Sequence, residues 1–230
     1  LADRAVLPDV VLVHSLHKGR DGYFDLGALP GISRTVPTFL YLQDQWLMTG
    51  HCAYSLGCER WLNGCGNCPR LDVYPALEKD GTRLNWMRKK WLLQRSSVRV
   101  GSPARWILEL ASESPILTGL PQFQVGNSVD IETFHPGSKS EVRKELGLPL
   151  DKRIILFLAQ KGRSSTFKDF DSLYEAFRLL ARERDDVMML AVGGDPSDQS
   201  DETFGGRLAF APFASDRSLV AKYYQASDLF

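Results

Sequence analysis

Residues 153–192 read RIILFLAQKGRSSTFKDFDSLYEAFRLLARERDDVMMLAV. After Arg153 the run to 159 is unbroken, apolar and of strand length. Residues 170–183 place Leu173, Ala176, Phe177 and Leu180 at helical spacing. A second apolar run follows at 187–192. Strand, helix and strand in that order make a βαβ unit, with a right-handed crossover and parallel pairing. Strands apolar throughout suit a sheet covered on both faces. Downstream, a further strand is expected at 208–213 and a helix at 217–225.

The same alternation appears upstream. Apolar runs at 9–13 (DVVLV) and 36–42 (VPTFLYL), then shorter ones at 98–101 and 123–125, read as strands. The first is expected to be buried on both faces. Residues 24–33 look helical until Pro30 and Gly31 interrupt them. Residues 85–95 form an amphipathic helix with Trp86, Lys90 and Leu93 along one side, widened by Met87 and Trp91. Ser102 and Pro103 read as the cap and first position of another helix, which Trp106, Ile107, Leu110 and Ala111 continue. Between the halves, 133–149 carries two prolines around a short helical piece. The expected organisation is an α/β unit at 1–128, a connector at 129–150 and a second α/β unit at 151–230.

Positive and negative side chains balance at 28 each, which argues against nucleic acid as the main partner. No apolar run approaches the roughly 18 residues that would span a bilayer. Peripheral membrane contact stays open. With no initiator Met and no leader, the chain reads as a piece of a longer protein.

All four cysteines, Cys52, Cys58, Cys65 and Cys68, fall within 17 residues, and His51 adjoins the first. They lie in the 44–69 stretch, whose lack of periodicity marks a long structured loop. Such loops are usually functional or cross-linked. Cys65-x-x-Cys68 has the knuckle spacing of structural zinc sites, with Gly64 and Gly66 to turn the backbone, whereas Cys52-x5-Cys58 is wider. Zinc, packed reduced thiols and disulfides are the three readings.

Parallel sheets bind ligands outside the carboxyl ends of their strands. Four places qualify: His14 to His17, Gln43 to Trp46, Gln160 to Lys168, and Gly193 to Asp195. The third puts Gly162, Arg163, hydroxylated residues and Lys168 between a strand and a helix, which suits a diphosphate. A solvated basic loop is the plainer alternative. Asp44 can serve as a base or orient a hydroxyl, or simply cap a turn.

Several of these segments together resemble bacterial family 4 glycosyltransferases, in the branch with colanic-acid and other exopolysaccharide enzymes. TGHCAYSLGCERWLNGCGNCP at 49–69 is the specific match. PDVVLVHSLHKGRDGYFDLGALP at 8–30, GSPARWILELASES at 101–114, VGNSVDIETFHPG at 125–137, GRSSTFKD at 162–169 and YYQASDLF at 223–230 extend it over nearly the whole chain. The resemblance implies a GT-B architecture, two Rossmann-like parallel-sheet domains facing a cleft. It implies sugar transfer from a UDP- or GDP-sugar to a saccharide or lipid-linked acceptor, retaining, without a catalytic metal. It also implies a cytoplasmic protein, peripheral at the inner face of the membrane in some members. Gly162, Arg163 and Lys168 would bind the donor diphosphate. Asp44, Gln43 and His14, or His17 in its place, would line the catalytic side. Gln43 stands where the family has His, which keeps hydrogen bonding and loses the proton switch. Asp169 stands where the family has Gly. These two departures motivate the alternative, a non-catalytic module that binds a sugar or a partner protein.

Overall fold

The structure is a computed structural model that describes residues 7–14, 16–17, 24–160, 168–194 and 206–230. The chain divides into two compact units, Leu1–Ser128 and Val129–Phe230. Each is α/β and Rossmann-like, built on its own parallel sheet.

The first sheet holds β1 (Val11–His14), β2 (Thr38–Tyr41), β3 (Val98–Ser102) and β4 (Gln122–Gln124), side by side in chain order and all parallel. Helices α1 (Leu29–Thr35), α2 (Thr82–Leu93) and α3 (Arg105–Glu113) connect them. Leu29, Leu40, Leu93, Val100, Ala111 and Leu117 form the dry centre of the core. β1 lies at the edge of the sheet among the described strands, and Leu12 is 54% exposed, so the expected burial of this strand on both faces is not met.

Three local expectations are corrected. Pro30 and Gly31 do not interrupt a helix, because α1 begins at Leu29 and runs through both. At the second helical position a proline forfeits no intrahelical bond. The inward face of α2 is Thr82, Trp86, Lys89 and Leu93, while Met87 and Trp91 are about half exposed. The face is rotated because the Lys89 amine has acceptors inside, described below. Ser102 ends β3 instead of capping α3. Its hydroxyl donates to the Leu42 carbonyl (2.9 Å) and accepts from the Ala104 N–H (3.2 Å), and the helix starts at Arg105.

The second sheet is β5 (Arg153–Leu158), β6 (Val187–Gly194) and β7 (Leu208–Pro212), in that order and parallel. Around it lie α4 (Lys139–Glu145), α5 (Phe170–Glu183) and α6 (Arg217–Ala226). Phe170, Phe177 and Ala181 of α5 pack with Phe157, Met189 and Leu208. The alternate residues Ile154, Leu156, Met188, Leu190 and Val192 form a separate cluster with Leu148 and Tyr223. These strands are therefore covered on both faces, as their composition predicts. Beyond α6, Leu229 pairs in parallel with Ile155.

Residues 129–150 fall in the second unit. Arg143 of α4 is 4% exposed and fixes that segment. Its guanidinium donates to the carbonyls of Ala226 and Lys152 (both 2.8 Å) and to Asp228 Oδ2 (2.6 Å). The same Asp228 oxygen accepts from the Ile154 N–H (2.8 Å), and Oδ1 accepts from Lys139 (2.5 Å).

Gly193 ends the apolar run of β6 with φ +102°, and a Cβ there would sit 2.1 Å from the Ala159 carbonyl oxygen. Both the left-handed backbone and the contact exclude a side chain. Gly193→Ala is expected to destabilise the second unit by about 2 kcal/mol. A urea midpoint unchanged from the parent would contradict this.

Candidate functional site

The carboxyl edge of the first sheet carries a polar pair. The chain leaves β1 at His14 and β2 at Tyr41, and one turn further on in each case a side chain comes back toward the other. His17 Nε2 lies 2.6 Å from Asp44 Oδ2. The other carboxylate oxygen, Oδ1, accepts the Trp46 N–H at 2.8 Å. Side-chain exposure is only 9% for His17 and 18% for Asp44. The imidazole sits against Trp46 and edge-on to Tyr74, with ring centroids 5.6 and 5.5 Å away. His17 Nδ1 is buried and has no hydrogen-bond partner among the described residues. A carboxylate can only accept, so His17 Nε2 carries the proton in this pair while Asp44 is ionised. The Asp44 carboxylate is thereby held at both oxygens.

The other predicted residues of this edge are arranged differently. His14 is exposed and lies tilted against Tyr41, centroids 4.8 Å apart. It is therefore His17 that the fold brings to Asp44. Gln43 is exposed beside Asp44. Tyr41 spans the sheet edge, its hydroxyl donating toward the Val125 carbonyl (2.7 Å) and Asn127 Oδ1 (2.9 Å). A cavity of about 10 Å³ is lined by His17, Tyr41, Gln43, Asp44 and Trp46. It is too small to hold a sugar, so any substrate would lie outside it. The larger hollows are open grooves. One of about 620 Å³ runs along Phe134, His135 and Tyr224, and one of about 650 Å³ runs over 55–70. Neither is lined by Asp44 or Lys168.

In the second unit, Gly162 and Arg163 lie outside the described residues. Lys168 is exposed immediately before α5. Asp169 has a structural job: it is the N-cap of α5, its Oδ1 accepting the Ser172 N–H at 3.1 Å. Hydrogen bonding with the Ser172 side chain, and then with its N–H, holds the Asp169 carboxyl below the usual carboxylate range. The acidic residue in place of glycine is thus accounted for as a helix cap.

The 44–69 stretch is a loop with a single short 3-10 turn at Arg60–Asn63. It is stitched from within by Gln45 N–H to Ala53 O (2.7 Å) and Thr49 Oγ1 to Cys52 O (2.6 Å). It is stitched to α2 by Asn85 Nδ2 to Gly50 O (2.5 Å) and Trp86 Nε1 to Trp61 O (2.8 Å). A Cβ on Gly50 would fall within 3 Å of Thr82, so only glycine allows this approach. All four cysteines are half-buried free thiols, and together with His51 they line one cavity of about 20 Å³. Burial pushes the Cys65 thiol up to about 11, and burial also raises Cys52. His51 donates from Nδ1 to the Pro75 carbonyl (3.0 Å), which leaves Nε2 3.5 Å from Cys68 Sγ. Among the described residues, no three His, Cys, Asp or Glu side chains stand in a group that could hold a metal ion as they are.

Lys89 is the residue that sequence reading missed. It is fully buried, with Nζ donating to the carbonyls of Trp46 (2.5 Å) and Thr49 (3.0 Å) and lying 3.4 Å from the centre of the Trp46 ring. Burial brings its pKa down to about 7, against the pull of Cys52, Cys65 and Asp44. The signal was its position: three residues after Trp86 and four before Leu93, a lysine on the core face of a helix.

No family model matches the chain. Parts of it are similar to two curated proteins. One stretch of 119 residues, 46% of the chain, is 34% identical to D-inositol 3-phosphate glycosyltransferase 2 of Catenulispora acidiphila. A stretch of 39 residues, 17% of the chain, is 49% identical to the protein named colanic acid biosynthesis glycosyl transferase WcaC in Escherichia coli K12. The likeness is to glycosyltransferases. The matched stretches span 27% and 10% of the two relatives' lengths. No helix among the described residues is long and apolar enough to cross a membrane.

Proposed function

We propose that the chain belongs to a family 4 glycosyltransferase of GT-B architecture. It would move a sugar from a UDP- or GDP-sugar to a saccharide or lipid-linked acceptor, with retention, in the bacterial cytoplasm or at the inner face of the membrane. The likeness to two glycosyltransferases carries this reading. The polar pair at the carboxyl edge of a parallel sheet, where such folds bind ligands, supports it.

In this proposal the reacting sugar meets Asp44, with Gln43 and His14 as flanking hydrogen-bonding groups. His17 acts through Asp44. It holds the carboxylate in one orientation, and a fixed acceptor saves reorganisation when the sugar arrives. Gly162, Arg163 and Lys168 take the donor diphosphate and offset the charge that grows on the leaving nucleotide. No step uses a metal.

Isothermal titration of the full-length protein with UDP and with GDP tests the donor side. Lys168→Ala is expected to weaken the preferred nucleotide about tenfold, the worth of one charge-assisted hydrogen bond. Equal affinity in parent and variant would remove Lys168 from the site.

A further inference from the structure

We propose that Cys52, Cys58, Cys65 and Cys68 bind one zinc ion, and that the buried Lys89 ammonium offsets part of the negative charge of that site. The site is separate from the sugar-transfer chemistry and braces the loop that carries Asp44.

Four observations lead there. First, four thiols drawn from a loop with almost no regular structure converge on a single small cavity. At about 20 Å³ it has room for one water-sized body, in an interior where voids are otherwise rare. Second, the backbone already turns as a knuckle turns. Cys65 adopts φ +54° and Gly66 φ +89°, and the Gly50 N–H points at Cys65 Sγ (3.2 Å). An N–H aimed at sulfur stabilises a thiolate. Third, His51 is fixed through its Nδ1–H on the Pro75 carbonyl, with the other nitrogen toward Cys68. A histidine that ligates a metal is held in this way, so His51 Nε2 stands beside the four thiols as a further donor atom.

Fourth, the Lys89 amine is buried on two carbonyls and the Trp46 ring, with no carboxylate partner among the described residues. An uncompensated buried charge is costly. Both carbonyls that hold Lys89 belong to the loop that carries the cysteines, and Cys52 and Cys65 pull on its charge. Four thiolates around Zn²⁺ leave a net charge of about −2. Lys89 then has the anion that its burial requires. Binding would release the thiol protons to solvent and change no oxidation state. The thiols do not stand at ligand spacing in this structure. They line one cavity from separate turns of the loop, so ion binding would draw them closer together. Thiolate ligands select zinc over the harder divalent ions.

The test is elemental analysis of the full-length protein purified without chelator under reducing conditions. About one zinc per chain is expected. Cobalt(II) added to the chelator-stripped protein should give the thiolate-to-cobalt charge-transfer bands of a tetrahedral site. Lys89→Met should keep those bands with affinity weakened about tenfold or more. Cys58→Ser and Cys65→Ser should lose them. Should these variants not fold, the parent protein alone decides. Less than about half an equivalent of zinc together with no cobalt bands would overturn the proposal, given the closed four-ligand sets of structural zinc. So would thiols that react equally fast with and without chelator, or that appear only after reduction.

Discussion

Replacing Arg143 by alanine is expected to cost the second unit about 3 kcal/mol, from lost charged hydrogen bonds of a buried guanidinium to two carbonyls and to the partly exposed Asp228. The side chain joins α4 to the end of α6, to the start of β5 and to Asp228 at once. Without it, two backbone carbonyls lose a charged donor, and a carboxylate is left among the ends of three elements. Lys139 pairs with the same Asp228 but is 45% exposed. Lys139→Ala should therefore cost less than about 1 kcal/mol. Urea unfolding of the two variants compares them directly. Equal losses would contradict the account.

The same cluster sets a pH dependence. Burial alone would raise the Asp228 carboxyl, but hydrogen bonds from Lys139, Ile154 N–H and Arg143 outweigh it and hold the pKa at about 2. A carboxyl depressed in the folded state stabilises the fold above its unfolded pKa, near 4. That contribution, roughly 2 kcal/mol, is lost as the pH falls from about 4 through 2. Asp228→Asn should be less stable at neutral pH and should flatten this acid limb. A variant with the parent's acid limb would assign the effect elsewhere.

The second large effect concerns Asp44. Asp44→Asn should lower sugar transfer about 10²–10³-fold, the scale for a group aimed at charge that develops in the transition state. The amide preserves size and can still accept the Trp46 N–H, so folding should survive. His17→Gln should fall less, about tenfold, because it loosens Asp44 without removing it. If His17→Gln lowers kcat more than Asp44→Asn does, the imidazole itself performs the chemistry. Restoring His at Gln43 should leave the Asp44 dependence in place.

Much of the architecture was legible because apolar runs and helical spacing reflect the core directly. The βαβ order at 153–192, the near-exact bounds of α5 and the parallel pairing all follow from it. What could not be read was the identity of inward-facing polar groups. Lys89 looks like a surface residue until the carbonyls of Trp46 and Thr49 are seen to converge on it, and they come from a loop without periodicity. The choice between His14 and His17 was hidden likewise. Both lie at the end of β1, and only the path of the chain after the strand sends His17 to Asp44 and leaves His14 on Tyr41. Asp169 was misleading for the opposite reason. Standing where the family has Gly, it read as a departure from the phosphate loop, whereas the Ser172 N–H shows an ordinary helix cap.

On the proposed function, this chain binds a nucleotide-sugar. The most direct measurement is calorimetric titration of the full-length protein with UDP, GDP and their common sugar conjugates, with nucleotide release followed in the same samples. One nucleotide should bind saturably, and its sugar conjugate should be turned over when an acceptor is supplied. Binding without turnover under any acceptor would support the non-catalytic sugar-binding module. No binding of any nucleotide or conjugate would contradict the account.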